Sequence, residues 1–150
     1  MDDPVLVRIA DEASTPESVI ILSDEGDKHI MFRTMRRKAQ QLSREESEQI
    51  LRDATSGVLA VYGDDGYPYA VPVSHVYEEG KIMFHCAKEG HKIDAIRRSE
   101  KVSFCVVAQN DVLPAERTTA YISVIAFGRA HIVDDEAGLR RIAGLIGDKF

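Results

Sequence analysis

What this chain lacks narrows its chemistry first. It contains no glycine-rich dinucleotide fingerprint, P-loop, HExxH helix, GxSxG elbow or paired CxxC. Neither a dinucleotide-type fold nor a recognised hydrolase can therefore be argued from motifs. Cysteine occurs only twice, at Cys86 and Cys105. Both sit in apolar strand-like runs, which reads as free buried thiols in a reducing compartment, and their spacing matches no zinc pattern. No apolar run approaches membrane-spanning length, and no basic segment precedes an apolar core near the N-terminus. The expectation is a cytoplasmic protein without a membrane partner. Positive charge is not in excess either: the net charge is −6. Residues 1–30 hold that whole imbalance, with eight acids against two bases. The remainder is neutral and offers no strong basic field for nucleic acid.

What is present fits one soluble domain of 150 residues, long enough to bury a real core. Residues 1–30 read as an acidic N-terminal extension of unknown role, with apolar patches at 4–10 and 19–22. Arg33, Arg36, Arg37 and Lys38 form a basic leader. Ser43 followed by Glu46 is a capping box, opening a helix that turns Ile50, Leu51 and Ala54 inward and stops near Gly57. A strand is expected over 57–62, then a turn at Asp64-Asp65-Gly66, with Pro68 starting the next strand.

The chain is organised around residues 67–92, YPYAVPVSHVYEEGKIMFHCAKEGHK. Runs 70–77 and 81–87 alternate with period two and are joined by Glu78-Glu79-Gly80, a hairpin signature. Val71, Val73, His75 and Tyr77 share one face; Pro72, Ser74 and Val76 share the other. A helix over 91–99 follows. It opens with Lys88, His91 and Lys92, although a helix N-terminus favours acids and repels cations. Two readings stand: an anion such as phosphate occupies that corner, or the turn is a solvated surface. Further on, 101–108 reads as a strand and 109–117 as a polar loop. Runs 118–127 and 129–133 read as strands interrupted by a bulge at Gly128. Asp134-Asp135-Glu136 starts a last helix with Leu139, Ile142, Leu145 and Ile146 as its apolar stripe.

The segments MFRTMRRKAQQL, GDDGYPYAVPVSHVY, FHCAKEGHKIDAI, KVSFCVV and SVIAFGRA, in that order and spacing, resemble the 5-nitroimidazole-resistance branch of the pyridoxamine-phosphate-oxidase-like flavoproteins. The resemblance covers 31–150. It implies a mainly β fold with flanking helices: an FMN-binding split β-barrel that forms a homodimer with the flavin at its interface. Family chains run on past this region to a final strand. A barrel truncated at its C-terminus, lacking that strand or completed differently, is therefore expected.

The same resemblance implies the site. Lys88 and Lys92, with His91 assisting and Ala87 beside them, would hold the FMN phosphate. Pro72, Val73, Ser74 and His75 would line the flavin ring, largely through main chain, with Ser123 on the pocket's other side. Arg97 and Arg98 are expected to face elsewhere. His75 and His85 are the candidate catalytic proton donors. No metal site is expected, since His85 and Cys86 point to opposite faces and no helix carries an i, i+4 pair of ligands. The implied activity is an FMN-dependent oxidoreductase. It would take electrons from NAD(P)H and reduce the nitro group of 5-nitroimidazoles or a related small acceptor. The alternatives are a non-catalytic FMN- or small-ligand-binding dimer and a pyridoxamine-phosphate-oxidase-like oxidase.

Overall fold

The computed structural model describes residues 18–23, 41–87 and 89–150. The expected basic leader and Lys88 lie outside the described residues. No described helix is long and apolar enough to cross a membrane.

Local signals form the elements they announce. Helix α1, Arg44–Asp53, starts where the Ser43 hydroxyl accepts the Glu46 amide at 3.1 Å. That hydroxyl donates in turn to the Glu46 carboxylate. Leu51 is buried, with Ile50 and Ala54 packed beside it. Strands β2, Ser56–Tyr62, and β3, Pro68–Ser74, pair antiparallel around the 64–66 turn. Asp65 and Gly66 both take positive φ there, which explains the Asp-Gly pair. Pro68 does begin β3, where its missing N–H is harmless. Helix α2, His91–Arg98, and helix α3, Glu136–Lys149, follow the apolar spacing; Asp135 caps α3 by accepting the Gly138 amide.

The expected hairpin over 70–87 is different. Only Val76–Glu78, strand β4, pairs with β5, Lys81–Cys86. The earlier half of the run belongs to β3 and pairs with β2. His75 alone separates β3 from β4. With β1 at Ser18–Ser23, β6 at Lys101–Leu113 and β7 at Thr118–Val133, the sheet order is β3-β2-β6-β7-β1-β5-β4, so its two edges are consecutive in the chain. The sheet curls until those edges meet at His75, and one residue forms the seam of a half-barrel.

The long hairpin also departs from expectation. Strand β6, Lys101–Leu113, runs through the supposed polar loop, and β7 spans Thr118–Val133 without a break at Gly128. The register shifts between Val107 and Gln109 instead, leaving Ala108 as the extra residue. Past that shift no third strand joins the ribbon among the described residues; Asn110, Asp111 and Val112 are exposed and Gln109 half-exposed, so polar side chains cost little as strand residues there.

Strand β1, Ser18–Ser23, lies between β7 and β5, antiparallel to both. Position 30 is thus no boundary within the sheet: part of the acidic extension is an interior strand. Among the described residues, β1 completes the strand ring at that place.

Two apolar clusters result from the alternation. One, inside the curl, gathers Leu59, Phe84, Phe104 and Ile93 with Tyr77. The other sits behind the sheet, where Val76, Met83 and Val133 meet Ile142 of α3. Val76 and Tyr77, neighbours in sequence, serve opposite clusters. Cys86 is buried, whereas Cys105 is half-exposed on the outer wall, contrary to the expected pair of buried thiols; neither forms a disulfide among the described residues.

Candidate functional site

His75 stands at the seam, fully buried. Its Nε2–H donates to the Leu51 carbonyl at 2.8 Å, which fixes the neutral tautomer because a carbonyl only accepts. Its amide donates to Thr55 and its carbonyl accepts from Lys149 at 2.9 Å. The ring packs edge-on against Phe104 at 5.1 Å. Burial, with some help from the Lys149 charge and against the Leu51 bond, pushes its pKa down to about 4. The structure therefore moves His75 out of the flavin-lining and catalytic sets: an enclosed, neutral ring tied to α1 is a structural pivot. Lys149 reinforces it, donating also to the carbonyls of Arg52 and Ala54 at 3.2 and 2.5 Å.

The α2 N-terminus has the opposite character. Gly90 precedes it at φ 141°, a conformation glycine adopts without strain. No atom lies within 4 Å of where a Cβ would stand. Side chains cap α1 and α3; none caps α2. Its first amides lack intrahelical partners and stand at the positive end of the helix dipole. His91 is exposed and stacks on Tyr69 of β3, with ring centroids 3.9 Å apart. Gly63 makes room for that stack: a Cβ there would lie 2.9 Å from Tyr69 Cβ and 3.3 Å from His91 Nε2. Lys92 is half-buried beside it, and Ala87 is exposed where the chain leaves β5.

An acid also reaches this corner. Asp64 lies 3.8 Å from His91 Nε2 and 2.9 Å from an Arg98 nitrogen. Arg98 thus shares a carboxylate with His91, and the expectation that it faces elsewhere is corrected. The signal was in the sequence, since seven residues are two helical turns and return to the same face. Asp64 and Tyr69 were both missed, because the turn gave no hint that it folds against α2.

The Tyr69–His91 stack ties the α2 corner to β3. Pro72 and Ser74 lie on the same strand, roughly 10 and 17 Å from Tyr69. Both side chains are exposed, while Val73 points into the inner cluster. β3 is an edge strand paired only with β2, so its outer main-chain groups have no strand partner among the described residues. Ser123 is exposed on β7, three strand positions away, roughly 14 Å. Within one chain it does not join the others. His85 is half-buried on the side of β5 that carries Met83. Around Ser123 the outer wall is apolar: Val58, Val107, Ile125 and Phe127 are all exposed. Cross-strand partners line them up, Val58 facing Cys105 and Cys105 facing Ile125.

This arrangement suits a flat, largely apolar molecule with a phosphate tail. The tail would meet uncapped amides and Lys92, and the flat part would meet the edge of β3.

Comparison with known proteins agrees with the architecture. The family model for pyridoxamine 5'-phosphate oxidase matches residues 43–150. A crystal structure from Bacteroides thetaiotaomicron, described as a putative 5-nitroimidazole antibiotic resistance protein, superposes with a TM-score of 0.65 at 20% identity, covering 73% of this chain and 68% of that one. A conserved hypothetical protein from Mycobacterium tuberculosis superposes equally well, with a TM-score of 0.65 at 24% identity, covering 78% and 69%. No curated relative matches. At these identities the two structures show the fold alone: a mainly β split half-barrel with flanking helices.

Proposed function

This chain belongs to the pyridoxamine 5'-phosphate oxidase family, and from that premise we propose that it binds FMN and acts as a flavin-dependent reductase of a small organic acceptor. The observation that carries the proposal is the uncapped α2 N-terminus at Gly90, joined through His91 and Tyr69 to an open sheet edge.

Lys92, the free amides of α2 and Lys88 would bind the phosphate, with His91 holding the corner in shape. Pro72 and Ser74 would border the ring, which the β3 main chain would hold. FMN, when bound, supplies the hydride chemistry; the protein supplies position and a water-poor setting. His85 remains the candidate proton donor. A second copy of the chain would cover the apolar wall around Ile125 and bring its Ser123 to the flavin pocket, since such a patch marks an interaction surface. Sedimentation of the flavin-loaded protein as a monomer would sink that part. The acceptor proposed is a nitro group of the 5-nitroimidazole type, taken to an amine by three two-electron reductions from NAD(P)H.

Absorption of the purified protein tests the reading. It should be yellow, or become so with FMN, and be bleached by NAD(P)H and reoxidised by metronidazole. A yellow protein inert to both reagents would be a flavin binder without this activity. One that cannot be loaded with FMN overturns the proposal. Lys88→Ala with Lys92→Ala should weaken FMN binding at least tenfold with the fold kept; unchanged affinity would move the phosphate elsewhere.

A further inference from the structure

The far end of α2 carries a second concentration of positive charge. A cleft of about 570 Å³ opens there, whose charged and titratable lining is Arg97, Arg98, Lys101, Arg129 and His131 with one acid, Glu100. Helix and sheet bring them together. Arg97 and Arg98 end α2, β6 begins three residues later at Lys101, and β7 passes alongside with Arg129 and His131.

Local acids do not account for all of it. Asp64 holds Arg98 and Glu100 holds Arg129. Arg97 and Lys101 are exposed and make no ion pair among the described residues. The helix dipole explains basic residues in the last turn of α2. It does not explain Lys101 and Arg129, which are direct cross-strand partners. Glu100 already offsets the Arg129 charge, so among the described residues this pair leaves Lys101 as the cation with no acid of its own. The Arg97 guanidinium and the Lys101 ammonium group beside one opening suit phosphate oxygens, which accept charge-assisted N–H donors.

We propose that this cleft binds the phosphate or pyrophosphate group of a phosphorylated small molecule, at a site separate from the Gly90 corner. Eight helical residues divide the two places, roughly 12 Å along α2. The proposal stands whether or not the Gly90 corner holds FMN. Because the cleft is open, binding should be modest and sensitive to salt.

Calorimetric titration of the full chain with inorganic pyrophosphate at low salt tests it. With saturating FMN present to occupy the Gly90 corner, wild type should bind one equivalent, and affinity should fall as salt is raised. Arg97→Gln with Lys101→Gln should lose at least tenfold, while Arg140→Gln, on the exposed face of α3, should bind as wild type does. Both substituted side chains are exposed, and thermal melts confirm that the variant folds. Amide NMR shifts in the wild type provide an independent readout, expected around Lys101 and Arg129. The proposal fails if wild type binds no pyrophosphate at millimolar concentration. It fails equally if the double variant binds undiminished, or if the shifts cluster at His91 and Lys92.

Discussion

Two histidines sixteen residues apart make the instructive comparison. His75 lies at the barrel seam, neutral, bonded through its ring and both main-chain groups, and closed off from solvent. His91 lies at an open helix start, stacked on one face and exposed beyond it. In the sequence both flank the same apolar stretch, and both looked like ligand groups. The difference is what packs around them. α1, Phe104 and Lys149 enclose the first, whereas among the described residues the 63–66 turn and Tyr69 approach the second. Burial turns one imidazole into a structural fastener and leaves the other available to a ligand.

That contrast breaks most visibly on truncation. His75→Ala should cost about 3 kcal/mol, because it opens a cavity and orphans the Leu51 carbonyl. His91→Ala should stay within about 1 kcal/mol. Urea unfolding at pH 7 decides between them, and equal losses would erase the distinction.

A pH series sharpens the contrast without removing the core side chain. The folded His75 titrates near pH 4, below the ordinary value of 6.5. The unfolded chain therefore takes up a proton that the folded chain refuses between those values. Stability is full above pH 6.5 and falls as pH drops toward 4. The loss from this group should be about 2 kcal/mol between pH 7 and 5, and about 3 kcal/mol by pH 4. His75→Gln should lack the decline from pH 7 to 5. If its profile parallels wild type, another group is responsible.

The smallest effect belongs to the open corner. Asp64→Asn removes the carboxylate shared by Arg98 and His91, an exposed pairing. Thermal unfolding should change by no more than about 0.5 kcal/mol. A larger loss would mean that this corner is held as tightly as the seam.

Much of the fold was legible, and the reason is locality. The Ser43 cap, the 64–66 turn, the Pro68 start, the α2 boundaries and the α3 stripe each depend on residues within a few positions of one another. Their physics is complete in a short window. Where reading failed, the deciding partner was distant. Residues 109–113 looked like loop because they are polar, but a ribbon with solvent on both sides accepts polar side chains. The hairpin over 70–87 looked continuous because its alternation is continuous, yet the pairing changes partner at His75. Arg98 was set aside although its spacing from His91 matched; Asp64, the group that both face, sits on a distant turn that precedes β3.

By itself, then, the amino-acid order determined the three helices and most of the strands, where several begin and end, and that one corner gathers cations against a helix dipole. The tertiary structure alone decided which strands are neighbours, that β1 is an interior strand, and which histidine is closed in. Alternation specifies that a strand has two faces. It carries no information about what will cover either one, because that depends on chain segments brought together only by folding.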